Sequence, residues 1–499
     1  MDGSFWEFGA RPMSTCDFFR ARIDQMIDLH HPLAVLAQRL PWAQLEAALA
    51  PCFARKAKAA GASADEIDLF GPVPAGTSAA SNAGRPRLAP RLMIALLYLK
   101  HAFALSDEEL VCRFSENIVW QYFAGMDYYE PRLPCDATQI GRFRTAIGEA
   151  GVEEILKATL DTAVSMKAIK PAEFEHVIVD TTVQPKAIAH PTDSRLLEVA
   201  RRALVKAAKG AGLTLKQTFE REGTHLRGRA GRYAHARQFR RMRRVIKRQR
   251  TIVGKLLREM GRKLADVSIS PEQFDKLHNL MGRCERIQSQ QPKDKAKLYA
   301  LHAPEVECIA KGKARTPYEF GVKAALAVTF NSGLMVGART FPGNPYDGHV
   351  LGAQLEQTNI LLQDIGKQVK RATVDLGFRG VDDDNPQVDI THRGKIKSLT
   401  KAQKRWLKRR QAIEPAIGHL KQDCGMDRCW LKGQTGDAIH AVLCAAGYNI
   451  RWLMRACRRL GLKALYLRLA LVALLPRLGV GGNAISGCGL PHTRIMAAG

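Results

Sequence analysis

The sequence predicts a chain of mixed α/β class, in which a domain built on five strands is interrupted by a long basic helical segment and preceded by an all-α region. Three observations carry this. β-branched, strand-like runs appear at 173–188, 318–330, 333–341, 370–378 and 386–392. Apolar residues at spacings of three and four dominate before residue 150. Between 194 and 299 the helical period returns, carried on a block of almost one-sided charge.

The elements follow in order. Within an N-terminal segment, 1–70, residues from about 14 to 60 read as helices, and "GPVPAGTSAASNAGRPR" at 71–87 has the composition of a linker. A compact helical domain is expected over 88–165. Ser106 and Glu109 have capping-box spacing, and Asp136 is placed to cap a helix that exposes Arg142 and Arg144. A helix-turn-helix reading DNA explains this pattern, and plain helical packing explains it equally well. A sheet domain is expected over 170–193 and 300–460. Its first run, "EFEHVIVDTTVQPKAI", carries Asp180 at the strand end, and the insertion at 194–299 then interrupts it. Here Phe239, Met242, Ile246, Val253, Leu256, Met260 and Leu264 fall at near-heptad spacing, which suits a helical hairpin or a dimer seam. Two further strands lead through the "PGNPYDGH" turn, where Asp347 can cap the next helix. "KRATVDLGF" ends a strand on Asp375, "PQVDITH" supplies another, and a helix with Glu414 follows. Asp437 is placed to cap the closing helix, and 461–499 reads as a C-terminal helix and flexible tail.

Composition narrows the function classes. Lysine plus arginine number 76 against 48 acidic residues, an excess of 28 in 499 residues, which points to a polyanion and to nucleic acid ahead of a membrane surface. From Arg201 to Lys263 there are 21 Lys/Arg against three Glu. Such a block repels itself without phosphates nearby, so Arg240, Arg241, Arg243, Arg244, Lys247 and Arg248 are candidate DNA contacts. The eleven cysteines show no zinc-ligand spacing, and Cys424 and Cys429 are weak candidates. The N-terminus has no signal-peptide pattern, which leads to the expectation of reduced thiols in the cytoplasm, on the nucleoid. The longest apolar run, "ALYLRLALVALL", is broken by Arg468 and too short for a bilayer, so no membrane partner is expected.

Three carboxylates stand out because their neighbours are apolar: Asp180, Asp375 and Glu414. Carboxylates gathered there would repel unless cations neutralised them, and oxygen ligands suit Mg²⁺ or Mn²⁺. Two such ions, ~3.5–4 Å apart, support in-line displacement at phosphorus. The stripe Arg410, Glu414 and Lys421 also reads as a solvated salt-bridge ladder, although Pro415 favours a place for Glu414 in the first turn of its helix. The run Asp382, Asp383 and Asp384 reads as a solvated turn, His419 as an ordinary surface or core histidine, and His349 as a residue supporting the ligands from behind.

The runs "VIVDTTV", "TVDLGFRG" and "RRQAIEPAIGHLKQD" together resemble the three blocks of bacterial insertion-sequence DDE transposases, in particular the insertion-sequence five family. The resemblance covers roughly 88–460. It implies a ribonuclease-H-like catalytic domain with a mixed five-stranded sheet, and a metal-binding triad of Asp180, Asp375 and Glu414. It implies two Mg²⁺ or Mn²⁺ ions, and a homodimer acting on double-stranded DNA, both terminal inverted repeats and target. Arg410 and Lys421 match the arginine and lysine of the family's R-x3-E-x6-K signature, and with Arg379 they are expected on DNA. Leu407 stands where some relatives carry tyrosine. A metal-dependent nuclease without strand transfer and a non-catalytic DNA-binding regulator are the rival readings.

Overall fold

The computed structural model describes residues 20–53 and 88–474, apart from 265–266, 268, 292–293, 296, 311–316, 381–382 and 396; the side chains of 395 and 462–474 also lie outside this description. The expected linker at 71–87, the tail beyond 474 and Asp382 fall outside the described residues.

Short helices α1 (Ile23–Met26), α2 (Pro32–Arg39) and α3 (Trp42–Leu49) open the described chain. After them come α4 (Pro90–Ala102), α5 (Asp107–Glu116), α6 (Ile118–Phe123) and α7 (Ala137–Ser165). Both N-caps form, Ser106 accepting from the Glu109 N–H and Asp136 from the Thr138 N–H, but the Glu109 carboxylate pairs with Arg113 at 2.6 Å instead of completing a capping box. Arg144 corrects the reading of an exposed basic face. It is buried, with Nη2 3.2 Å from Asp107 Oδ2, because α5 packs over that side of α7.

The sheet has strands β1 (His176–Pro185), β2 (Glu307–Ala310), β3 (Tyr318–Thr329), β4 (Met335–Phe341), β5 (Arg371–Thr373) and β6 (Asp389–Thr391). β4, β3, β1, β5 and β6 lie side by side, antiparallel in the first two pairings and parallel in the last two. The five expected strands are therefore present. β2 is a sixth, pairing antiparallel with the start of β3. Its four residues, "ECIA", have too little alternation to stand out in the sequence. β1 also continues past the end expected at Asp180. Asp180 lies in mid-strand opposite Leu326, and pairing continues to Pro185.

Beyond the four helices between β1 and β2, the remaining helices of this region are α12 (Asp347–Leu361), α13 (Lys401–Arg409), α14 (Ile413–Cys424) and α15 (Gly433–Leu474). α15 starts before Asp437, so this residue is not the expected cap. Its carboxylate is buried and lies 2.8 Å from Lys186 Nζ, which also meets Glu305 at 2.8 Å. Packed against α4, α7 and β4 at once, α15 joins the N-terminal helices and the sheet into one continuous hydrophobic core.

Between β1 and β2 lie α8 (Asp193–Gly210), α9 (Glu220–His235), α10 (Phe239–Leu264) and α11 (Pro271–Ser289). They enclose a second core of Leu196, Leu204, Val253, Leu256, Met260, Leu277 and Ile287. The near-heptad stripe is thus consumed within the bundle, with Val253, Leu256 and Met260 buried and Met242, Ile246 and Leu264 packed at the edge of the core, whereas Phe239 is exposed.

Candidate active site

β-branched residues make β1 a strand buried on both faces, and its parallel pairing with β5 sets Asp375, two residues past the β5 end, beside Asp180. A 3-10 turn at Arg410–Ala412 breaks α13 from α14, so that Pro415 falls in the first turn of α14, where its missing N–H is harmless, and Glu414 heads the helix. The three carboxylates converge on one cation. Arg410 Nη1 is 3.4 Å from Asp180 Oδ2, and Nη2 lies 3.7 Å from Asp375 Oδ1 and 3.8 Å from Glu414 Oε1.

Burial separates the three. The side chain of Asp180 is 18% exposed, against 48% for Asp375 and 63% for Glu414. Lost hydration raises the Asp180 pKa to about 6, opposed by the Thr181 N–H and by Arg410, and reinforced by the charges of Asp375 and Asp347. An all-oxygen donor set that already gathers a guanidinium fits hard divalent cations, and Asp180, Asp375 and Glu414 are the residues that would hold them. Lys421 is directed elsewhere, 3.8 Å from Glu319 on β3, so the stripe on α14 is not a simple ladder.

Asp347 does not cap α12; Tyr346 occupies that position without a side-chain cap. Its Oδ1 accepts from Thr181 Oγ1 at 3.1 Å and Lys323 Nζ at 2.8 Å. Partners 166 and 24 residues away leave no periodic trace, so only the fold reveals this carboxylate.

His349 is exposed, its ring edge-on to Tyr346 at 5.6 Å. Arg379 is exposed beyond the turn that follows Asp375. Arg142 on α7 is exposed, as are Arg240, Arg241, Arg243, Arg244, Lys247 and Arg248 on α10. Of these, Arg248 makes a fork on Glu222 at 2.7 and 3.0 Å.

Spacing in the sequence also hides a buried group of His101, His440 and Cys444, the only three metal-ligating side chains among the described residues with ligand atoms within 4.8 Å of one another. Cys444 Sγ is 3.5 Å from His101 Nδ1 and 3.6 Å from His440 Nε2, and the latter nitrogen is 3.1 Å from the Gly425 carbonyl oxygen. Burial holds both imidazoles and the thiol uncharged, and Lys100 and Arg144 lie close enough to disfavour added positive charge. The group is a hydrogen-bonded clasp between α4 and α15.

A mixed sheet in this strand order, with acidic residues on its first strand, after the parallel strand beside it and on a following helix, defines the ribonuclease-H-like class of DDE proteins. The chain belongs to the DDE transposases: residues 290–450 match the family model described as a transposase DDE domain, and 65–146 match the transposase domain DUF772. The first match contains Asp375 and Glu414 but begins after the α8–α11 bundle, so β1 and Asp180 join the site through the fold. The uncharacterized protein ORF8 in the nfe locus of Rhizobium meliloti is 42% identical over 223 residues, which is 45% of this chain and 95% of that protein. No solved structure matches the chain.

Proposed function

We propose that this enzyme is the transposase of an insertion sequence of the insertion-sequence five family, which binds terminal inverted repeats, cuts at the element ends and joins the freed 3′-hydroxyls to target DNA. The convergence of Asp180, Asp375 and Glu414 on the Arg410 guanidinium is the observation that carries this reading. Asp180, Asp375 and Glu414 would hold two Mg²⁺ or Mn²⁺ ions, which would supply activation of the attacking oxygen and stabilisation of the leaving one. The chain's own residues do the rest. Asp180 on a paired mid-sheet strand and Glu414 in a first helical turn hold the ligands on rigid elements. Arg410, released from the carboxylates, offers a planar fork to a phosphate, and Lys421 offers a point charge farther along α14.

Exposed Arg240, Arg241, Arg243, Arg244 and Lys247 on α10 suit sequence-independent contact with the DNA backbone, with Arg379 and Arg142 as further contacts. Arg248 can join them by exchanging Glu222 for a phosphate. Recognition of the element ends is assigned to the helices within 88–148. Two copies act in the synaptic complex, in the cytoplasm on the nucleoid. Among the described residues no helix is long and apolar enough to cross a membrane.

Strand transfer of pre-cleaved ends in Mg²⁺ or Mn²⁺ tests the proposal. Asp180→Asn, Asp375→Asn and Glu414→Gln should each abolish cleavage and joining and leave DNA binding largely intact. Cleavage without joining would leave a nuclease, and full activity of Asp375→Asn would sink the triad.

A further inference from the structure

We propose that Asp347 is a positioning residue of the acidic centre, a fourth carboxylate that holds Asp180 and the Asp375 turn in register from the far side of the sheet. The proposal rests on the triad reading above. Successive residues of a strand face opposite sides, so when Asp180 faces Arg410 and α14, Thr181 faces α12. There its hydroxyl donates to Asp347 Oδ1 at 3.1 Å. Lys323 projects to the same side from β3, since Val183 is its cross-strand partner and Thr181 pairs with Ala325. Its ammonium donates to the same oxygen at 2.8 Å and to the Pro345 carbonyl oxygen at 2.6 Å, which fixes the first turn of α12.

The second carboxylate oxygen faces the turn that carries Asp375. A methyl group added at Gly377 would lie 2.9 Å from Asp347 Oδ2, closer than packed atoms tolerate. One side chain thus touches the segment behind Asp180 and the segment behind Asp375. Asp347 is also anchored at both ends of its reach, by β3 and by the start of its own helix. The third ligand, Glu414, is placed independently by α14.

The experiment is Mn²⁺ binding to the full chain without DNA, read by the electron paramagnetic resonance of the free ion. Asp347→Ala should weaken Mn²⁺ about 10–100-fold, the range found when a residue orienting a metal ligand is lost. Asp347→Asn, which keeps an acceptor oxygen for Thr181, should recover part of that loss. Thr181→Val should weaken binding in the same direction with a melting temperature close to the parent's. Gly377→Ala should weaken binding in the parent and much less in the Asp347→Ala background, since the atom it presses on is then gone. Parental affinity in both Asp347→Ala and Thr181→Val overturns the proposal. If Asp347→Ala fails to fold, Thr181→Val decides alone, with parental affinity overturning it. A parent that binds no Mn²⁺ refutes the triad reading and this proposal with it, whereas a binding parent with unaffected variants refutes this proposal alone.

Discussion

Arg410 is the residue on which the centre turns. Its guanidinium is mostly buried and is shared by three carboxylates, so it neutralises charges that would otherwise repel. Arg410→Ala should destabilise the metal-free protein by about 1–3 kcal/mol, because a half-buried carboxylate loses its partner. Added Mn²⁺ should raise the melting temperature of this variant more than that of the parent, which thermal denaturation with and without the ion would check. Arg410→Lys should impair cleavage at near-parental stability, since a point charge cannot span three carboxylates or grip a phosphate in two places. Asp180 gives a pH signature. Its folded pKa, about 6, lies above the ordinary aspartate value of 3.8, so the folded metal-free protein binds a proton more tightly than the unfolded chain. That contribution to stability is fully present below about 3.8 and is lost as pH rises through about 6. Asp180→Asn should therefore flatten the stability profile between these values, as denaturant melts at several pH values would show. The three acidic positions were legible because carboxylates in apolar runs are conspicuous. Asp347 and the burial of Arg144 were not, since each depends on a partner remote in sequence.

At the level of elements, α8 to α11 form a bundle with a core of their own and a heavily basic α10. Expressed alone, residues 190–291 should be helical and melt cooperatively, which circular dichroism would test; a non-cooperative melt would mean that the bundle needs the sheet. Deleting 195–295 from the full chain and rejoining the strands should reduce the slope of log affinity against log salt, since fewer counterions are released. An unchanged slope would assign the basic face another role. The five principal strands were legible from β-branching. β2 was not, for a four-residue edge strand gains its structure from the neighbour it pairs with. The near-heptad pattern of α10 told of a buried stripe but not of its partner, and periodicity alone does not distinguish a bundle interior from a dimer seam.

Across the whole molecule, α15 crosses close to α4. A methyl group at Gly447 would meet the backbone and Cβ of His101 at 2.5–2.7 Å. Gly447→Ala should therefore destabilise the protein by about 1–3 kcal/mol through forced separation of the two helices, measurable by chemical denaturation. The same packing means that residues 88–165, isolated from α15, should lack a stable fold, whereas supplying 433–461 as a second fragment should restore it. This shared core was not legible in the sequence, which suggested separate domains because the helical and strand-like periods are themselves well separated along the chain.

The shared core also orders events in time during synthesis. α7 ends at Ser165, but the α15 surface that completes its packing begins near Ile439, more than 270 residues later. At ribosomal rates of roughly 5–20 residues per second, the N-terminal helices wait about 15–60 s before they can close. A nascent chain cannot complete its N-terminal helical core ahead of its acidic centre, because the helix that closes the one is translated after every carboxylate of the other. A message cut short before α15 would then yield no stably folded N-terminal fragment, only a chain that quality control can remove.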